Sequence, residues 1–294
     1  MRPRRAAINR GSQTSLWRYR KPVSEDKSMR SPRNIWAVVM ATGNGFRRME
    51  DSGRFCPFTG DEYFLENALQ RAAALTDPSM ICTVVDGRHC DSWSGPCDFL
   101  PAQNVFVQPK DCGTAPAILL SLLHLEARDP EAIVVLLPAD YQINDETVIA
   151  RSLESTIGLA TTFTEVVYLL GAEPDIAVSE LGYIVPSCVK EDASAAVSMF
   201  VEKPNAAQAR RLIAKAGLWN TFILVGSVAA LLRLYGRTFD STVGAIRQAI
   251  ELDSRTRVPG RALRAVYDQL EPSDFSRAVL ELHHDKLRVF RIPG

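Results

Sequence analysis

Ile35-Trp36-Ala37-Val38-Val39-Met40-Ala41-Thr42-Gly43-Asn44-Gly45-Phe46-Arg47-Arg48 is the stretch from which the fold can be read. Residues 35–40 are apolar and partly β-branched, the composition of a strand buried on both faces. The run empties into a turn holding Gly43 and Gly45. A buried strand that ends in a glycine turn presents backbone N–H groups to a phosphate. Arg47 and Arg48 add fixed positive charge at the same mouth. The stretch therefore predicts a nucleotide-phosphate site in an α/β sheet. A dinucleotide fold fits less well. Arginine stands where the third glycine of GxGxxG belongs, and Asp86 lies roughly twice as far on as the ~20 residues expected of a ribose acid.

Outward from this strand the pattern alternates. Phe64, Leu65, Ala68, Leu69, Ala72 and Ala73 recur at helical spacing and predict a helix over 63–75. Strands are expected at 80–85 and 104–107. Thr114 can cap a helix with Pro116 in its first turn and Ile118, Leu119, Leu122 and Leu123 as its buried face. An unbroken strand at 133–137 ends in Pro138-Ala139-Asp140, followed by a helix at 145–159 and a strand at 165–170. Alternating β and α argues a mainly parallel sheet with helices on both faces. The style then changes. Strands at 182–185 and 197–202 read as an antiparallel pair covering one sheet edge. A helix at 205–216, a strand at 221–225, helices to about 282 and a strand at 287–292 complete the chain.

The totals agree with one domain. The chain has 294 residues, 46% hydrophobic and 23% charged, an ordinary globular composition. No apolar run approaches the ~18 residues of a membrane span. The six cysteines show no CxxC pair and read as reduced thiols serving as small core residues, consistent with the cytoplasm. Residues 1–33 hold ten Lys/Arg against two Asp/Glu, so the zero net charge hides a basic arm on an acidic remainder. The arm lacks hydrophobic periodicity, which predicts a disordered basic extension over 1–33 and one domain over 34–294.

Three further constellations fall at strand ends. Asp140, just past a buried strand, is either a helix N-cap or turn residue or a magnesium ligand facing phosphates. Gln108-Pro109-Lys110-Asp111-Cys112-Gly113-Thr114 joins a strand to a helix, and its glutamine can read a nucleobase edge. Glu202 and Lys203, stopped by Pro204, form either an exposed ion pair or a sugar and phosphate contact.

In chain order the segments ATGNGFR, GDEYFLENALQRA, QPKDCGTAPAILL, DPEAIVVLLPAD, LGYIVP, FVEKP, LWNTFIL and SDFSRAVL stand together. With them the chain resembles the mannose-1-phosphate guanylyltransferases, within the sugar-1-phosphate nucleotidyltransferase superfamily. The resemblance spans roughly 35–293. It implies a GT-A-like three-layer α/β/α fold with a mixed, mainly parallel sheet. It implies transfer of GMP from GTP to mannose 1-phosphate, giving GDP-mannose and pyrophosphate, with Mg2+ as cofactor. Arg47, Asp140 and Asp274 would be catalytic, the two aspartates as metal ligands. Gly43, Gly45, Gln108, Gly113 and Thr114 would bind the nucleotide. Gly182, Glu202, Lys203 and Asn220 would line the sugar-phosphate pocket. Neither a nucleic acid nor a membrane is expected as partner, and self-association is left open.

The departures from the family pattern sit in the signature loop. Thr42 replaces a glycine, and Ser52, Gly53 and Arg54 stand where the family carries Pro-Lys-Gln. Tyr141 replaces a histidine, and the family has a further strand and turn after the position of Gly294. A missing phosphate lysine implies reduced activity, or a relative that binds nucleotide without turning it over. A transferase for another sugar phosphate or nucleotide is the remaining alternative.

Overall fold

The first predicted strand is β1 (Ile35–Ala41), and it is the hub of the sheet. It pairs in parallel with β2 (Ile81–Asp86) on one side and β4 (Ile133–Pro138) on the other. β3 (Val105–Gln108) lies outside β2, again parallel. The computed structural model describes residues 35–42, 61–87, 95–139, 145–188, 194–256 and 260–292. All belong to the compact unit Pro32–Gly294. The basic arm at 1–33 lies outside the described residues.

Every residue of β2 and β4 is buried, as are 35–40 of β1. Unbroken apolar runs are needed here because both sheet faces are covered. Trp36, Val38 and Met40 face one layer, formed by α2 (Thr114–Arg128), α5 (Val228–Leu234), α6 (Asp240–Arg255) and α7 (Arg261–Tyr267). Ile35, Ala37 and Val39 face the other, formed by α1 (Asp61–Leu75) and α3 (Glu146–Thr162). Arg71 ties α1 to α3 with a two-pronged bond to Glu146, at 2.6 and 3.0 Å. The result is the expected three-layer α/β/α sandwich.

The remaining strands are β5 (Val167–Ala172), β6 (Tyr183–Pro186), β7 (Ser194–Val201), β8 (Leu218–Ser227) and β9 (Leu287–Arg291). The nine described strands run in the order β3-β2-β1-β4-β8-β5-β9-β7-β6, with β6 also paired to β8. Tracing the pairings, β7 and β8 run against the other seven, so the sheet is mixed and mainly parallel. β6 and β7 are the antiparallel pair read from the sequence. They do more than cover an edge, because pairing runs from β8 through β5, β9, β7 and β6 back to β8.

Several local expectations are corrected. Thr114 does not cap α2. Gly113 holds the N-cap position at φ 82°, and Thr114 is the first helical residue. Nor is the buried face of α2 one-sided: residues 115–123 and Leu125 are all buried, because the C-terminal helices roof the side that the sheet does not. β8 is longer than the predicted 221–225, and α4 (Ala206–Ile213) stops before 216. Cys82, Cys97 and Cys112 are core residues as expected, but Cys188 is exposed.

Candidate active site

Parallel strands in register end on one edge. Ala41 of β1 stands beside Val85, Asp86 of β2 beside Gln108 of β3, and Met40 beside Pro138. Loops leaving this edge are the ligand-binding positions of an open α/β sheet. The expected residues Gly43, Gly45, Arg47 and Asp140 follow directly from β1 and β4 but lie outside the described residues. Gln108 is described. It is 1% exposed, yet neither its amide oxygen nor its amide nitrogen has a hydrogen-bond partner.

The second half of the site comes from β6, β7 and β8. The Asn220 N–H donates to the Gly182 carbonyl at 2.8 Å. Glu202 follows β7, and its Oε2 would lie 2.5 Å from a Cβ placed on Gly182. A side chain at 182 would therefore displace the carboxylate. Sequence reasoning left Glu202 open between an exposed ion pair and a ligand contact. Its side chain is only 8% exposed, whereas Lys203 is 53% exposed and sits 3.7 Å away. Lys203 adopts φ 49°, a left-handed conformation rare outside glycine and often found at functional sites.

A strap at 273–275 joins the two halves. Ser273 exchanges backbone bonds with the loop before α2, donating to the Cys112 carbonyl at 2.9 Å and accepting from the Ala115 N–H at 3.0 Å. The Phe275 N–H donates to the Thr114 hydroxyl at 2.8 Å. A Cβ on Gly113 would fall 2.4 Å from the Ser273 carbonyl oxygen, so only glycine lets the strap dock. Asp274, between the two anchors, is exposed, and its Oδ1 accepts the Arg277 N–H at 2.9 Å. A π-helical segment, Ser276–Leu280, follows; such segments recur at functional sites.

Charge links the halves as well. Burial pushes the Glu202 carboxyl up from 4.5 to about 7, and the Asp274 carboxylate adds to the rise. Lys203, Arg277 and the Ser276 hydroxyl oppose it. Glu202 Oε2 has no hydrogen-bond partner. Among the described residues, the buried side-chain N and O atoms without a partner belong to Thr42, Gln108 and Glu202 alone. All three stand at strand ends on the motifs singled out in the sequence. An unpaired buried polar atom costs roughly 1–3 kcal/mol, a cost that a ligand supplying the missing partners would relieve.

Of the expected site residues, the structure brings together Gly113, Thr114 and the strap with Asp274 on one side, and Gly182, Glu202, Lys203 and Asn220 on the other. Sequence reasoning missed Thr42 as a polar contributor, Ser276 and Arg277 near the Glu202 carboxylate, and the edge-on ring pair Phe222–Phe275. Ser276 and Arg277 were legible in SDFSRAVL, two and three residues past Asp274. Phe222 carried no such signal, since phenylalanine reads as an ordinary strand residue.

Residues 37–257 match a family model described as Nucleotidyl transferase. The chain belongs to the nucleotidyl transferase family. It is 30% identical over 197 residues to mannose-1-phosphate guanylyltransferase of Salmonella muenchen, covering 63% of this chain and 40% of that protein. It is 27% identical over 196 residues to alginate biosynthesis protein AlgA of Pseudomonas aeruginosa, with the same coverage of each. The chain thus spans about two-fifths of the length of these curated relatives. Among solved structures, mannose-1-phosphate geranyltransferase from Thermus thermophilus superposes with a TM-score of 0.70 at 24% identity, over 88% of this chain and 74% of that one. A mannose-6-phosphate isomerase from Helicobacter pylori superposes with a TM-score of 0.63 at 17% identity, over 89% and 98%. At these identities the structural matches establish the shared fold. Among the described residues of this nucleotidyl transferase, no helix is long and apolar enough to cross a membrane.

Proposed function

We propose that this nucleotidyl transferase moves GMP from GTP to mannose 1-phosphate, releasing pyrophosphate and forming GDP-mannose. The observation that carries the reading is the set of partnerless buried groups at Thr42, Gln108 and Glu202, each at a strand end on a motif of the family. Gln108 offers one donor and one acceptor to a base edge. Glu202 offers an acceptor for sugar hydroxyls, and Lys203 a charge for the sugar phosphate. In the reaction, a phosphate oxygen of mannose 1-phosphate attacks the α-phosphorus of GTP. A P–O bond forms as the bond to the β-phosphate oxygen breaks, and pyrophosphate leaves with the electron pair. Such transfer depends on positioning and charge neutralisation.

Mg2+ fits the residues present. Asp274 is exposed, has one carboxylate oxygen outside any hydrogen bond among the described residues, and lies close enough to Glu202 for the two to repel. A cation there would relieve that repulsion. Asp274 and Asp140 would hold it, and bound Mg2+ would neutralise phosphate charge.

The test is pyrophosphate release from GTP and mannose 1-phosphate in the presence of Mg2+. Release that falls at least tenfold in Asp274→Asn supports the reading; release equal to that of the variant overturns it. The absent signature lysine argues for a slow enzyme, because losing one electrostatic stabiliser costs ~10²–10³ in rate. Gly53→Lys is therefore expected to raise the rate tenfold or more in the same assay. No release together with GTP-dependent thermal stabilisation would favour the nucleotide-binding alternative.

A further inference from the structure

Opposite Leu170 of β5, strand β8 does not run straight. Leu224 pairs with Leu169 and Asn220 with Gly171, so Thr221, Phe222 and Ile223 together face a single partner residue. Phe222, at the centre of this bulge, has φ 56°. A bulky aromatic residue in the left-handed region is an outlier that the surroundings must hold in place.

The surroundings can be named. The Thr221 hydroxyl donates to the Leu170 carbonyl at 2.7 Å and accepts the Ile223 N–H at 3.3 Å. The Phe222 N–H donates to Asn220 Oδ1 at 3.0 Å. That bond engages the Asn220 amide oxygen, so the NH2 is the end of the amide left to donate. Asn220 is 7% exposed, and a Cβ placed on Gly182 would lie 3.3 Å from Asn220 Cβ and 2.5 Å from Glu202 Oε2, so the two side chains flank the same glycine. The Phe222 ring meets the Phe275 ring edge-on, with centroids 6.3 Å apart. Phe275 is fully buried, and its N–H is held by Thr114 while its ring also meets Tyr235 at 5.7 Å.

We propose that Phe222 is a positioning residue, whose left-handed bulge aims the Asn220 NH2 at the sugar-phosphate ligand and whose ring latches the Asp274 strap to that half of the site. The bulge supplies one donor with a fixed direction, suited to an acceptor oxygen on a phosphate or sugar. The latch makes the two halves of the site rigid with respect to each other. A backbone function and a side-chain function thus meet on one residue. The ligand's identity rests on the reading given under the proposed function, but the latch does not.

Two measurements on the full chain separate these parts. Amide hydrogen exchange is followed in the wild type, in Phe222→Gly, which keeps the left-handed turn and removes the ring, and in Phe275→Leu, which removes the other half of the latch. Both variants are expected to exchange at least tenfold faster over 273–278, with β1 and β4 unchanged. Unchanged protection at 273–278 overturns the latch. Calorimetric titration with GTP and with mannose 1-phosphate then compares the wild type with Phe222→Gly and with Phe222→Val, whose branched Cβ disfavours the left-handed turn. Phe222→Val should weaken mannose 1-phosphate at least tenfold and GTP less than threefold, while Phe222→Gly retains more sugar-phosphate affinity than Phe222→Val. Equal sugar-phosphate affinity in wild type and Phe222→Val overturns the positioning of Asn220. Failure of the wild type to bind mannose 1-phosphate overturns the proposed substrate, and the exchange result still decides the latch.

Discussion

At the residue scale, the carboxyl of Glu202 shows how a site stores its ligand's energy in advance. Its pKa rises to about 7 because burial disfavours the anion and Asp274 repels it. A raised carboxyl pKa means that the folded state holds its proton more tightly than the unfolded chain. Stability therefore falls as pH rises from about 4.5 to about 7, and the penalty is fully present above that range. The shift corresponds to at most roughly 3 kcal/mol. In Glu202→Gln this penalty is absent. The variant should unfold at a higher temperature than the wild type at pH 8 and at nearly the same temperature at pH 5. Thermal melts of the ligand-free protein at the two pH values check this, and a wild-type advantage at pH 8 would contradict it.

At the scale of elements, the strap at 273–275 matters more than any one strand. It is short and lies outside the sheet, yet it carries Asp274 to the site through bonds to Cys112, Thr114 and Ala115. Gly113 makes that docking possible, both by its φ of 82° and by the space its missing Cβ leaves for the Ser273 carbonyl. Gly113→Ala combines a backbone conformation reserved for glycine with a 2.4 Å clash. It is expected to cost roughly 3 kcal/mol or more, read as a lowered midpoint in urea unfolding. The same variant should lose nucleotide turnover out of proportion to its stability, since the strap and Gln108 flank the same loop. The bulge in β8 is a second device of this kind. The sequence reading anticipated strand residues there, and the strand is present, but the bulge is held by the Thr221 hydroxyl on the Leu170 carbonyl and by the Phe222 N–H on Asn220 Oδ1. Neither bond leaves a periodic trace, and the first joins residues distant along the chain.

At the scale of the molecule, the sheet edge, the hairpin β6–β7 and the strap converge on one surface whose buried polar groups lack partners within the protein. A ligand that supplies those partners binds the folded state and stabilises it. At a hundredfold excess over its dissociation constant, GTP with Mg2+ should add about 2.7 kcal/mol, which is several degrees of melting temperature for a chain of this size. Differential scanning with Gln108→Leu as control checks the claim. The variant buries no orphan amide, so it should be at least as stable as the wild type without ligand and show a smaller gain with it. An equal gain in both would detach Gln108 from the nucleotide.

What the sequence by itself determined is the frame. Residues 35–40 and 133–137 could only be strands covered on both faces, because an unbroken apolar run has no side to offer water. The motif residues that end β1, β3 and β4 then had to share an edge, because parallel strands end together. The tertiary structure alone decided the rest. It chose Gly113 over Thr114 as the cap of α2, buried residues 115–123 of that helix, and turned Glu202 from an exposed ion-pair member into a buried carboxyl, repelled by Asp274, whose Oε2 has no hydrogen-bond partner. It also placed Phe222 in a left-handed bulge against Phe275. Each of these depends on what a distant segment brings alongside: the strap for Gly113, the C-terminal helices for α2, Asp274 for Glu202. Local periodicity records which residues seek burial. It does not record which neighbour will bury them, and in this protein that neighbour sets the geometry of the site.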